Sequence, residues 1–172
     1  MERKELCIIS DSDIPSGSGG INSEGYTYGQ IRHQPIITEI LQRITHPIAR
    51  QMAEHCNECN RKDGFTMYKV DGEYCFEGLR VGPKVKIPSK EELLALLGDQ
   101  PINAASIRNI TYTLIRKELA RLYRTSVQEA ADIIGNQLDC APHEDISGYI
   151  FMVPNWAHKW FRHNGYVSRM LK

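Results

Sequence analysis

The order of apolar and polar positions predicts strands in the first half of the chain. A short apolar run, Leu6–Ile9, stops at a polar, turn-forming segment and predicts a buried strand. Three further runs predict strands over residues 65–70, 74–79 and 84–87. The pair Asp71-Gly72 between the first two of these runs is typical of a tight hairpin turn. The pattern therefore favours a small antiparallel sheet.

Apolar residues that recur every three or four positions predict helices in the second half. The longest predicted helix covers residues 104–124. Its expected inner face consists of Ile107, Ile110, Leu114, Ile115, Leu119 and Leu122. Two capping boxes, which begin at Ser89 and Ser126, predict helices over residues 91–97 and 127–134.

Prolines mark two more helical segments. A pattern that begins at Pro35 continues to Met52, and Pro47 should kink or split it. Pro154 is expected to begin a last short helix that reaches about His163. These elements together predict an α+β fold, in which a small antiparallel sheet packs with about five helices and the C-terminal half is mostly helical.

Length and composition indicate a single globular domain. The 172 residues, of which 41% are apolar, suffice for one domain, residues 1–172, with a flexible Gly/Ser-rich loop at about residues 11–29. The 21 basic and 21 acidic residues cancel, so no global charge directs the chain to a partner. The apolar runs are shorter than the about 20 residues that span a bilayer, and the charged start predicts no export signal. We therefore expect a cytoplasmic protein without a membrane partner.

Two pairs of metal-ligating residues predict a structural zinc site. Cys56 and Cys59 form a C-x-x-C pair, and Cys140 and His143 form a C-x-x-H pair. A two-residue gap lets one turn aim two ligands at the same ion, and four protein ligands would leave no open position for catalysis. The five cysteines, an odd number, argue against a disulfide framework. Alternative ligands for the second pair are Cys75, His55 and His46.

Acidic residues at the end of the first strand predict a second metal site. Asp11 and Asp13 follow Leu6–Ile9, and Glu39 lies in the next helical segment. Carboxylates held together in this way are common ligands of Mg²⁺ or Mn²⁺ at sites that cleave phosphodiesters. The alternative is a solvated loop in which the acidic side chains stabilise turns.

Basic residues in the C-terminal half predict contact with nucleic acid. Lys117, Arg121 and Arg124 fall on one side of the longest helix, and Lys159 and Arg162 lie in a tail rich in aromatic residues. Basic groups interleaved with aromatics suit phosphate contact and base stacking. The alternative is a terminal helix that docks on the core and leaves its basic residues in solvent.

Three functional hypotheses follow from these sites. The first is a metal-dependent, nuclease-like enzyme that hydrolyses nucleic-acid phosphodiesters. The second is a zinc-stabilised, non-catalytic binding or regulatory module, such as a phage or bacterial effector that docks on a host protein. The third is a Cys-His hydrolase or transferase, with Cys7 or Cys75 as nucleophile and His33 or His143 as base.

Overall fold

A computed structural model provides the structure of the chain. It describes residues 5–7, 45–52, 67–70, 73–138, 140–155, 158 and 166–171. Of residues 5–7 and 67–70 it describes the backbone alone. The predicted loop at about residues 11–29 lies outside these ranges.

The first sheet is a three-stranded antiparallel sheet with the strand order β1-β2-β3. Its strands are β1 (Glu5–Cys7), β2 (Met67–Val70) and β3 (Glu73–Cys75). Val70 pairs with Glu73, which fits the two-residue connection predicted between these strands. The third predicted strand is shorter than expected, because a 3₁₀ turn over Glu77–Leu79 follows Cys75.

The second sheet is also antiparallel, with the order β4-β6-β5. Its strands are β4 (Val81–Lys86), β5 (Cys140–Glu144) and β6 (Tyr149–Pro154). The central strand β6 is fully buried from Ile150 to Val153. Replacing a core side chain such as Phe151 with Ala would cost about 3–5 kcal/mol.

The β5–β6 hairpin was not predicted, and the reason is visible in its sequence. Strand β5 contains Pro142 and ends at Glu144, so it lacks the alternation of apolar and polar residues that identifies a strand. Proline is tolerated because β5 lies at the edge of the sheet, where an amide is not needed on the open side. Pro154, expected to begin a helix, is the last residue of β6, and the helical residues Asn155 and His158 follow it within the predicted segment.

Five helices have both ends in the described ranges, and Asn155 and His158 are also helical. Residues 47–52 form α1. The others are α2 (Lys90–Leu97), α3 (Ala104–Tyr123), α4 (Val127–Asp132) and α5 (Tyr166–Met170), and a π-helical turn over Ile133–Gln137 extends α4. The predicted α+β class, with a mostly helical C-terminal half, is confirmed. No helix among these described segments is long and apolar enough to cross a membrane.

Side-chain caps begin α2, α3 and α4. The Ser89 hydroxyl accepts a hydrogen bond from the Glu92 amide at 3.2 Å and donates one to the Glu92 carboxylate, also at 3.2 Å. The Ser126 hydroxyl likewise accepts from the Glu129 amide at 3.0 Å. The Glu129 carboxylate instead contacts His46 Nε2 at 2.9 Å, which connects the start of α4 to the residue before α1. Asn103, which the sequence analysis did not identify, caps α3.

The buried face of α3 differs in part from the predicted one. Ile107, Ile115 and Leu119 are buried as expected, whereas Leu122 is 48% exposed. Thr111 is fully buried although it is polar, because its hydroxyl donates to the Glu144 carboxylate. A hydrophobic pattern cannot predict this position, since the partner comes from β5.

A close approach at Gly82 joins α1, α3 and β4. Gly82 has φ +79°, next to a register shift in the β4–β6 pairing. A Cβ atom there would lie 2.8 Å from the Met52 methyl and 3.5 Å from a Leu119 methyl. Only glycine combines this backbone conformation with such close packing.

Candidate functional site

Three of the predicted nucleic-acid-binding residues lie together at the C-terminal end of α3. Lys117, Arg121 and Arg124 are exposed, and we call these three residues the basic face. Lys117 and Arg121 are one turn apart on the same side of the helix. Arg124 follows the last helical residue and has a left-handed backbone, with φ 55° and ψ 47°. The structure therefore brings these three residues together, as the sequence predicted.

Most of the charge on the basic face has no ion-pair partner within the described part of the chain. The Arg121 guanidinium makes a forked contact with the Glu118 carboxylate, at 2.6 and 3.0 Å. This hydrogen-bonded pair lowers the pKa of Glu118 and raises that of Arg121. Among the described residues, no acidic group pairs with Lys117 or Arg124. The face therefore presents two unpaired cations and one partly neutralised cation to solvent.

The helix dipole accounts for some of these basic residues without any ligand. Cations in the last turn of a helix interact favourably with its partial negative end, by about 0.3–1 kcal/mol each. Arg121 and Arg124 lie at that end, but Lys117 is nearly two turns before it. The left-handed conformation of Arg124 also costs about 1–2 kcal/mol relative to glycine. Helix stability alone therefore does not account for the whole basic face.

A second cluster, not predicted as a unit, surrounds the buried carboxylate of Asp145. One carboxylate oxygen accepts hydrogen bonds from the Phe76 amide at 2.8 Å and from His143 Nε2 at 3.0 Å. The other accepts from the Ser147 amide at 3.0 Å and from the Cys75 thiol at 3.1 Å. Burial raises the pKa of Asp145, but His143 and the two amides more than offset this effect and hold the pKa well below its usual range.

The Asp145 cluster connects the two sheets. Cys75 ends β3 in the first sheet, whereas Asp145 follows β5 in the second. Because the carboxylate is ionised and can only accept, Nε2 of His143 carries the proton in this pair. The centre of the His143 ring also lies 4.4 Å from the centre of the Phe76 ring and 5.3 Å from that of the His158 ring. The contacts explain how residues from separate strands are fixed relative to one another.

The third hypothesis paired a cysteine nucleophile with a histidine base, and Cys75 and His143 do lie against the same carboxylate. However, Cys75 is 0% exposed and His143 is 3% exposed, so a substrate does not reach either side chain in this conformation. The Cys75 thiol donates to a carboxylate, an arrangement that disfavours the thiolate needed for attack. His33 and the side chain of Cys7 lie outside the described residues.

The predicted zinc ligands in the described residues point apart. Cys140 and His143 are three positions apart on β5, so their side chains project from opposite faces of the strand. The Cys140 sulfur contacts the Leu138 carbonyl at 3.4 Å, while His143 contacts Asp145. Among the described residues, no group of three Cys, His, Asp or Glu side chains is arranged to hold a metal ion. Cys56 and Cys59 lie outside those residues, and the four-ligand zinc site stays a prediction.

The remaining predicted site residues are also outside the described ranges. They are Asp11, Asp13, Glu39, Lys159 and Arg162. The magnesium or manganese site and the basic tail therefore stay predictions from the sequence.

Comparisons of this chain with protein-family models, with curated proteins and with solved structures found no match. Functional inference consequently depends on the chemistry of the individual side chains.

Proposed function

We propose that this protein binds nucleic acid through the basic face of α3 and that it is a metal-dependent enzyme that hydrolyses phosphodiesters. The observation that supports binding is the exposure of Lys117, Arg121 and Arg124 on one surface, where Glu118 is their one acidic partner among the described residues. The enzymatic part rests on the sequence alone. There, Asp11, Asp13 and Glu39 are the proposed ligands of Mg²⁺ or Mn²⁺, which would activate water and neutralise charge on the phosphate.

The spacing of these residues suits a phosphate backbone. Lys117 and Arg121 are about 6 Å apart along the helix axis, at 1.5 Å per residue. Binding of this kind is electrostatic and independent of base sequence. For about three phosphate contacts, log K should fall with log salt at a slope of about −2.7 on duplex DNA. Raising the salt from 50 to 200 mM would then weaken binding about 40-fold.

The binding experiment measures this salt dependence by fluorescence anisotropy with a labelled oligonucleotide. The double variant Lys117→Gln/Arg121→Gln should reduce the magnitude of the slope by about 1.8, because two phosphate contacts are lost. The matched control, Lys86→Gln/Lys90→Gln, removes two exposed lysines from β4 and α2 and should leave the slope unchanged. Equal effects of the two double variants would exclude a specific role for the basic face.

The catalytic part needs a separate experiment. Asp11→Asn and Asp13→Asn should abolish cleavage of single-stranded and duplex substrates in Mg²⁺ or Mn²⁺ while oligonucleotide binding persists. If the parent protein cleaves neither substrate with either metal, the enzymatic part is wrong and the binding part is unaffected. The cytoplasmic location also stays a prediction.

The zinc-stabilised binding module stays the main alternative. It predicts one tightly held zinc per chain and a large loss of thermal stability on chelation. Metal analysis of the purified protein, followed by a melt with and without chelator, tests it. Because Cys140 and His143 point to opposite faces of β5, the described structure gives this alternative no specific support.

A further inference from the structure

A different polar cluster lies where α3 packs beside the edge strand β5. Arg108, Tyr112 and Arg116 follow one another at intervals of four residues, so they form one row along the helix. Glu144, near the end of β5, lies behind this row and is only 7% exposed. The cluster uses none of the residues of the basic face.

Glu144 positions Arg108 without occupying all of its donors. The carboxylate accepts a hydrogen bond of 2.6 Å from the Thr111 hydroxyl. Its other oxygen lies 3.6 Å from Arg108 Nε, a loose ion pair in which the arginine side chain stays 41% exposed. No hydrogen bond to the Arg108 Nη atoms is found among the described residues. The outer edge of this guanidinium is therefore open to a ligand.

Arg116 has even fewer partners. Its guanidinium carbon lies 6.0 Å from the centre of the Tyr112 ring, a cation–π contact. In the part of the chain that the structure describes, this guanidinium pairs with no carboxylate, and its Nε is buried without a hydrogen bond. This Nε is shielded from solvent, so a ligand must approach the guanidinium from its Nη atoms.

Tyr112 lies between Arg108 and Arg116 on the helix, and its hydroxyl can donate a third hydrogen bond to a ligand of the two arginines. Burial and the nearby Glu144 raise the pKa of its hydroxyl, although the two arginines oppose this effect. The hydroxyl is therefore protonated at neutral pH. Two guanidinium groups and one carboxylate give the cluster an excess of one positive charge.

We infer that Arg108, Tyr112 and Arg116 form a binding site for a phosphate group. Planar guanidinium groups match the oxygens of a phosphate, and hydrogen bonds between them are charge-assisted. Arg108 and Arg116 lie about 6 Å along the helix axis on either side of Tyr112, so a phosphate at Tyr112 is within the length of both side chains. The phosphate belongs either to a free phosphate compound or to a nucleic-acid strand that continues from the adjacent Lys117. The site stands independently of nucleic-acid binding by the basic face.

The experiment titrates the full chain with inorganic phosphate at constant ionic strength. Binding is followed by calorimetry and by the NMR signals of the arginine Nε–H groups. We expect saturable binding with a large shift of the Arg116 signal. Arg108→Gln or Arg116→Gln should weaken binding about 10-fold or more, because each removes a charge-assisted hydrogen bond. Tyr112→Phe, which keeps the ring, should weaken it about threefold, since it removes one neutral hydrogen bond.

The control is the Lys86→Gln/Lys90→Gln variant, which removes two exposed lysines outside both the cluster and the basic face and should bind inorganic phosphate as the parent does. Absence of saturable binding, or an equal loss in this control, would overturn the inference.

A short oligonucleotide then distinguishes the two sources of phosphate. If it shifts the Arg116 signal and competes with inorganic phosphate, the group belongs to the strand. If the oligonucleotide binds but neither shifts the Arg116 signal nor competes with inorganic phosphate, the site binds a free phosphate compound. Both results are distinct from failure of the basic face to bind nucleic acid.

Discussion

Replacing Asp145 with Asn should destabilise the protein far more than the conservative change in shape suggests. The native carboxylate accepts four hydrogen bonds in a fully buried position. The Asn amide keeps one acceptor oxygen and places an NH₂ donor where the second oxygen was. Whichever way it is oriented, the NH₂ group then faces one backbone amide, that of Phe76 or of Ser147, and the His143 or Cys75 side chain must change from donor to acceptor. Because each buried, unsatisfied polar group costs about 1–3 kcal/mol, we expect a loss of about 3–5 kcal/mol.

Urea denaturation at pH 7, followed by far-ultraviolet circular dichroism, measures this loss directly. Asp99→Asn is the matched control, because Asp99 is exposed after α2 and a surface change of this kind usually lies within about 0.5 kcal/mol. If Asp145→Asn costs less than about 1 kcal/mol, the four contacts do not stabilise the joint between the sheets. The structural interpretation of the cluster would then be wrong.

The pH dependence tests the same site independently. The native pKa of Asp145 is lowered, whereas the unfolded group titrates near about 3.9. Its ionised form therefore stabilises the fold fully above the unfolded pKa, and that contribution is lost as the pH falls toward the lower native pKa. The difference in unfolding free energy between the parent and Asp145→Asn should shrink below about pH 4. A difference that stays constant from pH 7 to pH 3 would contradict the lowered pKa.

Further substitutions at Gly82, Ser89 and Arg124 test the packing, a helix cap and the basic face. Gly82→Ala should lower the free energy of unfolding by about 1–3 kcal/mol, because of the positive φ and the contact with Met52. Gly135→Ala is its control in thermal melts. It should be neutral or slightly stabilising, because there is open space around its Cβ position. Ser89→Ala should cost about 1 kcal/mol by removing the cap of α2, and a loss below about 0.3 kcal/mol would contradict that role. Arg124→Gly should stabilise the fold by about 1 kcal/mol while weakening oligonucleotide binding, and Arg124→Gln should weaken binding alone. If Arg124→Gly leaves binding unchanged, Arg124 does not contact the ligand.

The elements that local sequence signals specify were predicted well. The helices that follow Ser89 and Ser126 begin where the caps place them, because an N-cap acts on amides only a few residues away. The long helix was predicted to within one residue at its C-terminal end, since apolar residues recur along it with helical spacing. The basic face could also be predicted, because residues four apart on a helix share a side in any tertiary environment.

Contacts between residues distant in the sequence could not be predicted in the same way. The edge strand β5 was missed because pairing with β6, rather than its own pattern, makes Cys140–Glu144 a strand. That pairing also separates the Cys140 and His143 side chains, which a turn would have aimed together. Thr111 was not predicted to be buried because its partner, Glu144, is 33 residues away.

By itself, the sequence determined the α+β class, most of the helix ends and the positive charge on one side of α3. All of these depend on interactions over a few residues, which the order of side chains specifies directly. Only the tertiary structure decided that Asp145 is shared by Cys75 and His143, and that Glu144 lies beside Arg108 and Thr111. Such clusters form where strands and helices from distant parts of the chain meet, and hydrogen bonds and desolvation then set their chemistry.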